Sequence, residues 1–298
     1  MSRKVRINRS AIAGSIMVFP YLVLLAAFGV APVVIAFITS MQPSVVTPTG
    51  GFENYLYALS EFRFLPAVGN VAIFLAIYLP AMMVVVVGIS LLLDNLKPKL
   101  NLPLRLTYIV PGTLTGSLSV LIWYIMLEPS LSPYRDMLHA LGLTESGNIW
   151  KAGNLAFIFV LMAFFAGAGN WIVVQYGSLQ SVPDDIIEAA RIDGASQAQI
   201  ALKIKLPLIK KYLLYMLVLV FAAGLQIFVE PQLISASVFP GLASDWSLNQ
   251  LSYSFAFAFN NLSSAAALSI ILLVFCALAA LFVVFKTDFF EKPKKKVK

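Results

Sequence analysis

The chain has few charged residues, one cysteine and one histidine. Charged residues make up 12% of the 298 positions, whereas 60% are hydrophobic; in an ordinary soluble domain about a quarter are charged. This composition excludes an ordinary soluble protein and indicates an integral membrane protein. The single Cys276 lies in an apolar run, so no disulfide framework or CxxC site can form within the chain. The only histidine, His139, is far in sequence from any cluster of ligand-type residues, so we expect no metal site.

The formal net charge of +7 raises the question of a nucleic-acid partner. The basic residues stand at the chain ends and in short loops, and they do not form a face with interleaved aromatic residues. Membrane topology accounts for that distribution better than nucleic-acid binding does. We therefore predict contact with membrane lipid and none with nucleic acid.

Six apolar runs are each long enough to cross about 30 Å of hydrocarbon as a helix. Continuously apolar runs of this length predict helices, because a membrane strand needs short alternating segments in a closed barrel. The first run is too long for the apolar part of a cleaved signal peptide. We predict an all-α membrane protein with six transmembrane helices. The runs are Ala11 to Thr39, Ala67 to Leu93, Leu106 to Leu127, Leu155 to Tyr176, Tyr212 to Ile234 and Ser264 to Phe285.

Lysine and arginine are unevenly divided between the two sides of these spans. Of the 21 basic residues, all but Arg63, Arg135 and Lys151 fall on the side that holds both termini. The positive-inside rule then predicts that both termini are cytoplasmic. The expected organisation is a basic tail over 1–10, a transmembrane domain over 11–285 and a second basic tail over 286–298 that is attracted to anionic lipid.

Two outer loops carry their own apolar and polar periodicity. Gly51 to Phe64 and Ser130 to Trp150 each predict a short amphipathic helix at the outer membrane interface. Such helices could form part of a landing surface for an external partner, or they could be plain interfacial helices.

The longest cytoplasmic loop, about 178–211, is polar and predicts two helices with a tight turn. Ser181 is a candidate N-cap, Pro183 suits a first helical turn, and the carboxylates that follow favour the positive end of the helix dipole. The helix is expected to stop at Asp193-Gly194, because glycine adopts the left-handed conformation without a Cβ penalty.

A second helix is predicted to start directly after that turn. Ser196 and Gln199 have the spacing of a capping box. The helix should continue to about Lys205, and Leu206-Pro207 should mark the bend into the fifth span.

This helix-turn-helix is longer than the usual link of about 2–8 residues between helices. With Ala189 and Ala190 as a shallow face and charges around them, it predicts a compact knob that fits a groove on a soluble partner. A loop that only caps the bundle is the alternative.

The same segment resembles the EAA motif of permease subunits of bacterial binding-protein-dependent ABC importers. The matching residues are Glu188, Ala189, Ala190, Asp193, Gly194, Ala195, Ile204, Leu206 and Pro207. Further similarity to the carbohydrate-type branch, which includes the maltose and glycerol-3-phosphate permeases, extends over most of the chain. It lies at Phe52 to Tyr55, Asn70, Pro111, Trp123 and Leu179 to Pro183. Ala201 and Lys211 differ from the residues that are common at these positions in that branch. We expect neither difference to prevent the knob from docking on its soluble partner.

The resemblance implies an importer with several subunits in the bacterial inner membrane. It implies a second, usually different, permease chain, two cytoplasmic ATPase subunits and an extracytoplasmic binding protein. The chain contains no GxxxxGK[ST] sequence, so ATP and its magnesium ion are expected on the ATPase subunits, with no cofactor and no enzymatic activity in this chain.

Polar residues within spans are candidates for the solute path, because they are costly in lipid. Aromatic and hydrogen-bonding groups in the fourth and fifth spans suit sugars. Packing between helices is the alternative for each of them. The candidates are Asn70, Gly167, Asn170, Trp171, Gly224, Gln226, Phe228 and Glu230.

We therefore predict a permease that imports a sugar, oligosaccharide, polyol or glycerophosphate-type solute. An ABC permease for a non-carbohydrate solute is one alternative. An ion-coupled secondary transporter or a membrane-embedded enzyme is a weaker one, because Glu230 is the only carboxylate expected at membrane depth and no proton relay is evident.

Overall fold

The computed structural model describes residues 9–96, 98–114, 116–238 and 245–286. Within these residues all regular secondary structure is helical, which confirms the predicted all-α class. Residues 1–8 and 287–298, most of the two basic tails, lie outside the described part, and so does Lys97. The cytoplasmic location of the tails stays a prediction.

In the described part of the chain, five helices are long and apolar enough to cross a membrane, and a bent helix pair gives a sixth crossing if it is counted as one span. Five of the six predicted runs therefore coincide with long helices. The spans are span 1 (Ile16–Ser40), span 2 (Phe64–Asp94), span 3 (Asn101–Thr113 with Ser117–Leu127), span 4 (Ala152–Leu179), span 5 (Lys210–Ala236) and span 6 (Leu262–Phe285). Short π-helical stretches interrupt spans 1 and 2 at Ala26–Val30 and Met82–Val86.

Span 3 differs from the single helix that its apolar run predicts. The helices Pro98–Thr113 and Ser117–Leu127 meet at 97°. Gly116, the N-cap of the second helix, has φ 63° and ψ −140°, a conformation that glycine adopts at no steric cost. Apolar composition alone does not reveal such a break, and the prediction of one continuous helix was wrong.

Span 5 is also interrupted, near its C-terminal end. The helix Lys210–Leu225 stops, and a second helix, Val229–Leu233, continues into the π-helical segment Ile234–Val238. The shorter helices outside the spans include Glu53–Ser60, Arg135–Ala140, Ser146–Ile149 and Leu248–Tyr253. Helices are thus present in both predicted outer loops, and their position at the membrane interface stays a prediction.

The chain divides into two compact units, of which the first holds the described residues up to Glu61 together with Ser252–Ile271. In this unit the fully buried Asn54 fixes the turn after span 1. Its Nδ2 donates to the carbonyl oxygens of Ser40 and Gln42, both at 2.9 Å, and its Oδ1 accepts from the Thr47 hydroxyl. The segment Phe52 to Tyr55, which contains Asn54, therefore has a structural role in closing this turn.

The second unit holds Phe62–Leu251 and the described residues from Leu272 onward. Span 4 lies at its centre and packs against spans 2 and 3. Phe74, Met82, Phe159 and Met162 are among its fully buried side chains. This packing places the ends of spans 2, 4 and 5 beside the segment that carries the EAA-like residues.

Candidate functional site

The first helix of the loop runs over Asp184–Ile192, and its N-cap is Pro183. The prediction that Ser181 caps this helix was wrong. The Ser181 hydroxyl instead donates to the Ser178 carbonyl oxygen at 2.6 Å, so it closes the end of span 4. Asp184 and Asp185 occupy the first turn, where the helix dipole favours negative charge, as predicted.

The predicted turn at Gly194 is confirmed. Gly194 has φ 79°, and the amide of Ala195 donates to the Ala190 carbonyl oxygen at 2.9 Å. This is the left-handed ending that a residue with a β-carbon opposes. A β-carbon at Gly194 would have no neighbour within 4 Å, so any cost of substitution there arises from the backbone conformation.

The capping box at Ser196 and Gln199 is also confirmed. The amide of Gln199 donates to the Ser196 hydroxyl at 3.3 Å, and the amide of Ser196 donates to Gln199 Oε1 at 2.7 Å. These bonds satisfy two amides at the helix start. The second helix thus begins at Gln197, and only four residues separate it from Ile192, the last residue of the first helix.

The second helix extends beyond its predicted end. It comprises Gln197–Gln199, the π-helical Ile200–Lys205 and the helical turn Leu206–Leu208. The bend into span 5 lies at Ile209, with φ −94° and ψ 6°, and not at Leu206-Pro207 as predicted. Pro207 lies in the last turn of this continuous helical segment.

The two helices share a small apolar core, which we call the coupling core. It consists of Leu179, Val182, Ile187, Ala190, Ile200 and Ile209, with Leu91, Ala195, Ile204, Leu206 and Leu213 packed against it. Ala190 therefore points inward, whereas Ala189 is exposed. The prediction that both alanines form one shallow outer face was wrong, because adjacent helical positions point about 100° apart.

The outward face of the first helix is acidic and has one prominent apolar side chain. Glu188 and Asp193 are exposed, and Ile192 is 86% exposed. Gly194 and Pro207 are exposed as well. An exposed isoleucine among carboxylates is a candidate anchor for a partner protein, because burial of its side chain favours association.

Asp94, at the end of span 2, is a residue of this site that sequence reasoning missed. Its carboxylate is paired with the Lys205 ammonium group and accepts a hydrogen bond from Gln180 Nε2 at 2.6 Å. In the sequence, Asp94 is recognisable only as an acidic residue at the end of an apolar run. Its partners Gln180 and Lys205 are distant in sequence, so the sequence does not reveal the contact.

The candidate solute-path residues do not all lie in one place. Gly167 of span 4 and Gly224 of span 5 both face Tyr78 of span 2, since a β-carbon on either would lie 3.4 Å from the Tyr78 side chain. Glu230 lies on the short helix Val229–Leu233 beyond the interruption of span 5 and is half-buried. Tyr78, which stacks on Phe74 with ring centroids 5.1 Å apart, is a further residue that sequence reasoning missed.

Gln226 and Phe228 lie at the interruption of span 5. Gln226 is exposed and Phe228 half-buried. The Gln226 carbonyl oxygen accepts from Asn249 Nδ2 at 2.8 Å, while its side-chain amide is 4.0 Å from Cys276 Sγ. The interruption of the helix leaves backbone and side-chain polar groups of Gln226 free of the regular helical pattern. Irregular backbone of this kind is tolerated in a membrane span where it is buried in protein or lines a cavity.

Three further candidates point elsewhere. Asn70 donates to the Trp246 carbonyl oxygen at 3.1 Å, toward the segment that follows span 5. Trp171 contacts Tyr215, with ring centroids 6.1 Å apart. Asn170 is exposed. The structure thus brings Gly167 and Gly224 to Tyr78, whereas the contacts of Asn70 and Trp171 lie with Trp246 and Tyr215.

The described residues form a helical bundle with several membrane spans and a folded two-helix loop. Residues 16–286 match the family described as "Binding-protein-dependent transport system inner membrane component". The chain belongs to this family and is a multi-pass permease of the inner membrane.

Three permease proteins that are similar to the chain are 26–28% identical to it over the aligned residues. It is 27% identical to the sulfoquinovosyl glycerol permease protein SmoG of Agrobacterium fabrum over 62% of this chain and 60% of that protein. It is 28% identical to the trehalose/maltose permease protein MalF of Thermococcus litoralis over 74% and 76%. The arabinooligosaccharide permease protein AraP of Bacillus subtilis is 26% identical over 86% and 82%.

A solved structure confirms the fold. A chain of a bacterial ABC transporter that imports the acidic polysaccharide alginate superposes with a TM-score of 0.79 over 95% of this chain and 98% of that one. The sequence identity is 17%, so this likeness carries the fold alone.

Proposed function

We propose that the chain is one transmembrane subunit of an ATP-driven importer for a sugar, oligosaccharide, polyol or glycerophosphate-type solute. The permeases to which it is similar handle sulfoquinovosyl glycerol, trehalose or maltose, and arabinooligosaccharides. Span 2 offers the Tyr78 ring, which two glycines face, and span 5 carries the Glu230 carboxylate beyond its interruption. Aromatic faces and carboxylates are groups that bind the apolar faces and hydroxyls of sugars.

The coupling core is the observation that carries the proposal. It holds the two loop helices as a folded knob, and it leaves Glu188, Ile192 and Asp193 exposed on the outside. In the proposed assembly this surface sits in a groove of a cytoplasmic ATPase. The cytoplasmic location of the knob and of both chain termini is part of the proposal.

The proposed complex contains this chain, a second and different permease chain with which it forms a heterodimer, two ATPase subunits and an extracytoplasmic binding protein. ATP and magnesium bind to the ATPase subunits, and this chain holds no cofactor. When the ATPase pair closes on ATP, the two knobs move together and tilt the spans attached to them. The path then opens outward to receive solute from the binding protein.

Reconstitution tests this function directly. The complete transporter in proteoliposomes should hydrolyse ATP faster when its solute-loaded binding protein is present, and it should accumulate labelled oligosaccharide only with ATP. Solute uptake driven by an ion gradient without ATP would identify a secondary transporter instead.

A further inference from the structure

Asp94 connects three separate elements at one end of the second unit. It ends span 2, while Gln180 directly follows span 4 and Lys205 belongs to the second helix of the loop. One carboxylate oxygen accepts from Gln180 Nε2 at 2.6 Å, and the other is paired with Lys205 Nζ. Both oxygens of the carboxylate therefore have a partner.

Little of this pair is accessible to water. The Asp94 side chain is 3% exposed and the Lys205 side chain 16%. A buried carboxylate that loses its cation is strongly destabilising, whereas a pair on the surface contributes little. Leu91, one turn before Asp94, packs against the coupling core. Span 2 is thus held to the loop by an apolar contact and by a charged contact beside it.

The covalent chain attaches the loop to spans 4 and 5 only. Span 2 is not adjacent to the loop in sequence, since 111 positions separate Asp94 from Lys205. Movement of the loop therefore reaches span 2 only through non-covalent contacts. Span 2 also carries Tyr78, which Gly167 and Gly224 face.

We infer that Asp94 and Lys205 are positioning residues that make span 2 move with the coupling loop. The inference rests on the proposed function, because it assigns the pair a role in joining ATP hydrolysis to solute movement. Because the ion pair joins the loop to span 2, a movement of the loop also moves span 2 and its Tyr78. Without the ion pair, the loop can move while span 2 stays in place.

Charge removal and charge exchange test the inference in the reconstituted complete transporter. The variants are Asp94→Asn, Lys205→Met and the double exchange Asp94→Lys with Lys205→Asp. The exchange retains one long and one short side chain, and Gln180 can present its oxygen to a lysine as well as its amide to a carboxylate. The control is Asn95→Ala, because Asn95 is exposed and its side-chain amide donates to the Leu91 carbonyl oxygen of its own helix.

Each single variant should still co-purify with the ATPase subunits and hydrolyse ATP, while the amount of solute carried per ATP falls roughly tenfold. The exchange should restore most of that ratio, and Asn95→Ala should match the unmodified protein. A purely structural contact would alter assembly and stability but not the ratio.

Three results would overturn the inference. The first is a normal amount of solute carried per ATP in the single variants. The second is a double exchange that does not restore this amount. The third is a loss of assembly of the single variants with the ATPase subunits. Failure of the proposed function looks different, because then the unmodified complex itself shows neither ATP-dependent uptake nor hydrolysis stimulated by the binding protein.

Discussion

Gly169 of span 4 lies directly against the backbone of Tyr108 in span 3. A β-carbon built on Gly169 would stand 1.9 Å from the Tyr108 carbonyl oxygen. At the same crossing, a β-carbon on Gly112 would stand 2.8 Å from the Ala166 carbonyl oxygen. Each helix thus provides a glycine where the other helix passes, which is how small residues allow close packing of membrane helices.

This contact predicts that Gly169→Ala destabilises the chain. The obstructing atom belongs to the backbone, so it cannot rotate aside, and overpacking of this kind costs about 1–3 kcal/mol. The purified protein in detergent should melt at a lower temperature than the unmodified protein.

Gly177→Ala is the matched control for that measurement. Gly177 lies in the same helix, and a β-carbon there would have no neighbour within 4 Å. Alanine is also the better helix former, so this variant should melt at the same temperature or a higher one. Equal melting temperatures for both variants would mean that the crossing is looser than the structure indicates.

A second prediction concerns the turn at Gly194. Valine there must adopt φ near 79°, which costs roughly 1–2 kcal/mol for a residue with a β-carbon. Gly194→Val should displace the second loop helix and reduce hydrolysis stimulated by the binding protein, while spans and fold persist in detergent.

Asparagine tolerates the left-handed conformation better than valine does. Gly194→Asn should therefore retain most of the stimulated hydrolysis. Normal stimulated ATPase activity in the valine variant would contradict the assignment of this loop as the coupling element.

Much of this architecture follows from local patterns. Continuous apolar runs predict helices because lipid leaves the backbone few other choices, and the turn at Gly194 and the box at Ser196 depend on neighbouring residues only. The break at Gly116 was not predicted, because an apolar run does not encode a bend. The inward direction of Ala190 was missed for a related reason, since it depends on which face meets the core.

The Asp94–Lys205 pair is beyond local reasoning. Lysine and aspartate are common at the ends of apolar runs, where a span reaches the membrane surface. The sequence around either residue does not indicate that the other one is its partner. Only the packing of spans 2, 4 and 5 brings them together. The role of Tyr78 is hidden in the same way, because a tyrosine inside an apolar run looks like any other core aromatic residue.

A third prediction concerns topology. In a Cys276→Ala background, Asn148→Cys and Ala198→Cys each introduce one exposed thiol. Ala198 is preferable to Ser196 for this purpose, because the Ser196 hydroxyl belongs to the capping box. A membrane-impermeant thiol reagent applied to intact cells, with any outer membrane permeabilised, should label the cysteine at 148 and spare the one at 198. The reverse pattern would invert the orientation derived from lysine and arginine.

A fourth prediction concerns the solute. Gln226 is exposed at the interruption of span 5, and Glu230 lies one turn beyond it on the helix Val229–Leu233. If these groups bind solute hydroxyls, each hydrogen bond contributes about 0.5–1.5 kcal/mol, and more where the carboxylate is charged. Gln226→Ala and Glu230→Ala should each lower solute uptake by roughly 2- to 10-fold at solute levels below saturation.

Val229→Ala is the control for both, since Val229 is 40% exposed, lies on the same short helix as Glu230 and offers no hydrogen bond. All three variants should assemble and keep basal ATP hydrolysis, because the coupling core lies at the opposite end of span 5. Uptake is measured with labelled solute in proteoliposomes over a range of solute concentrations. If both polar variants transport as well as Val229→Ala, the interruption of span 5 serves packing, and the solute passes another part of the bundle.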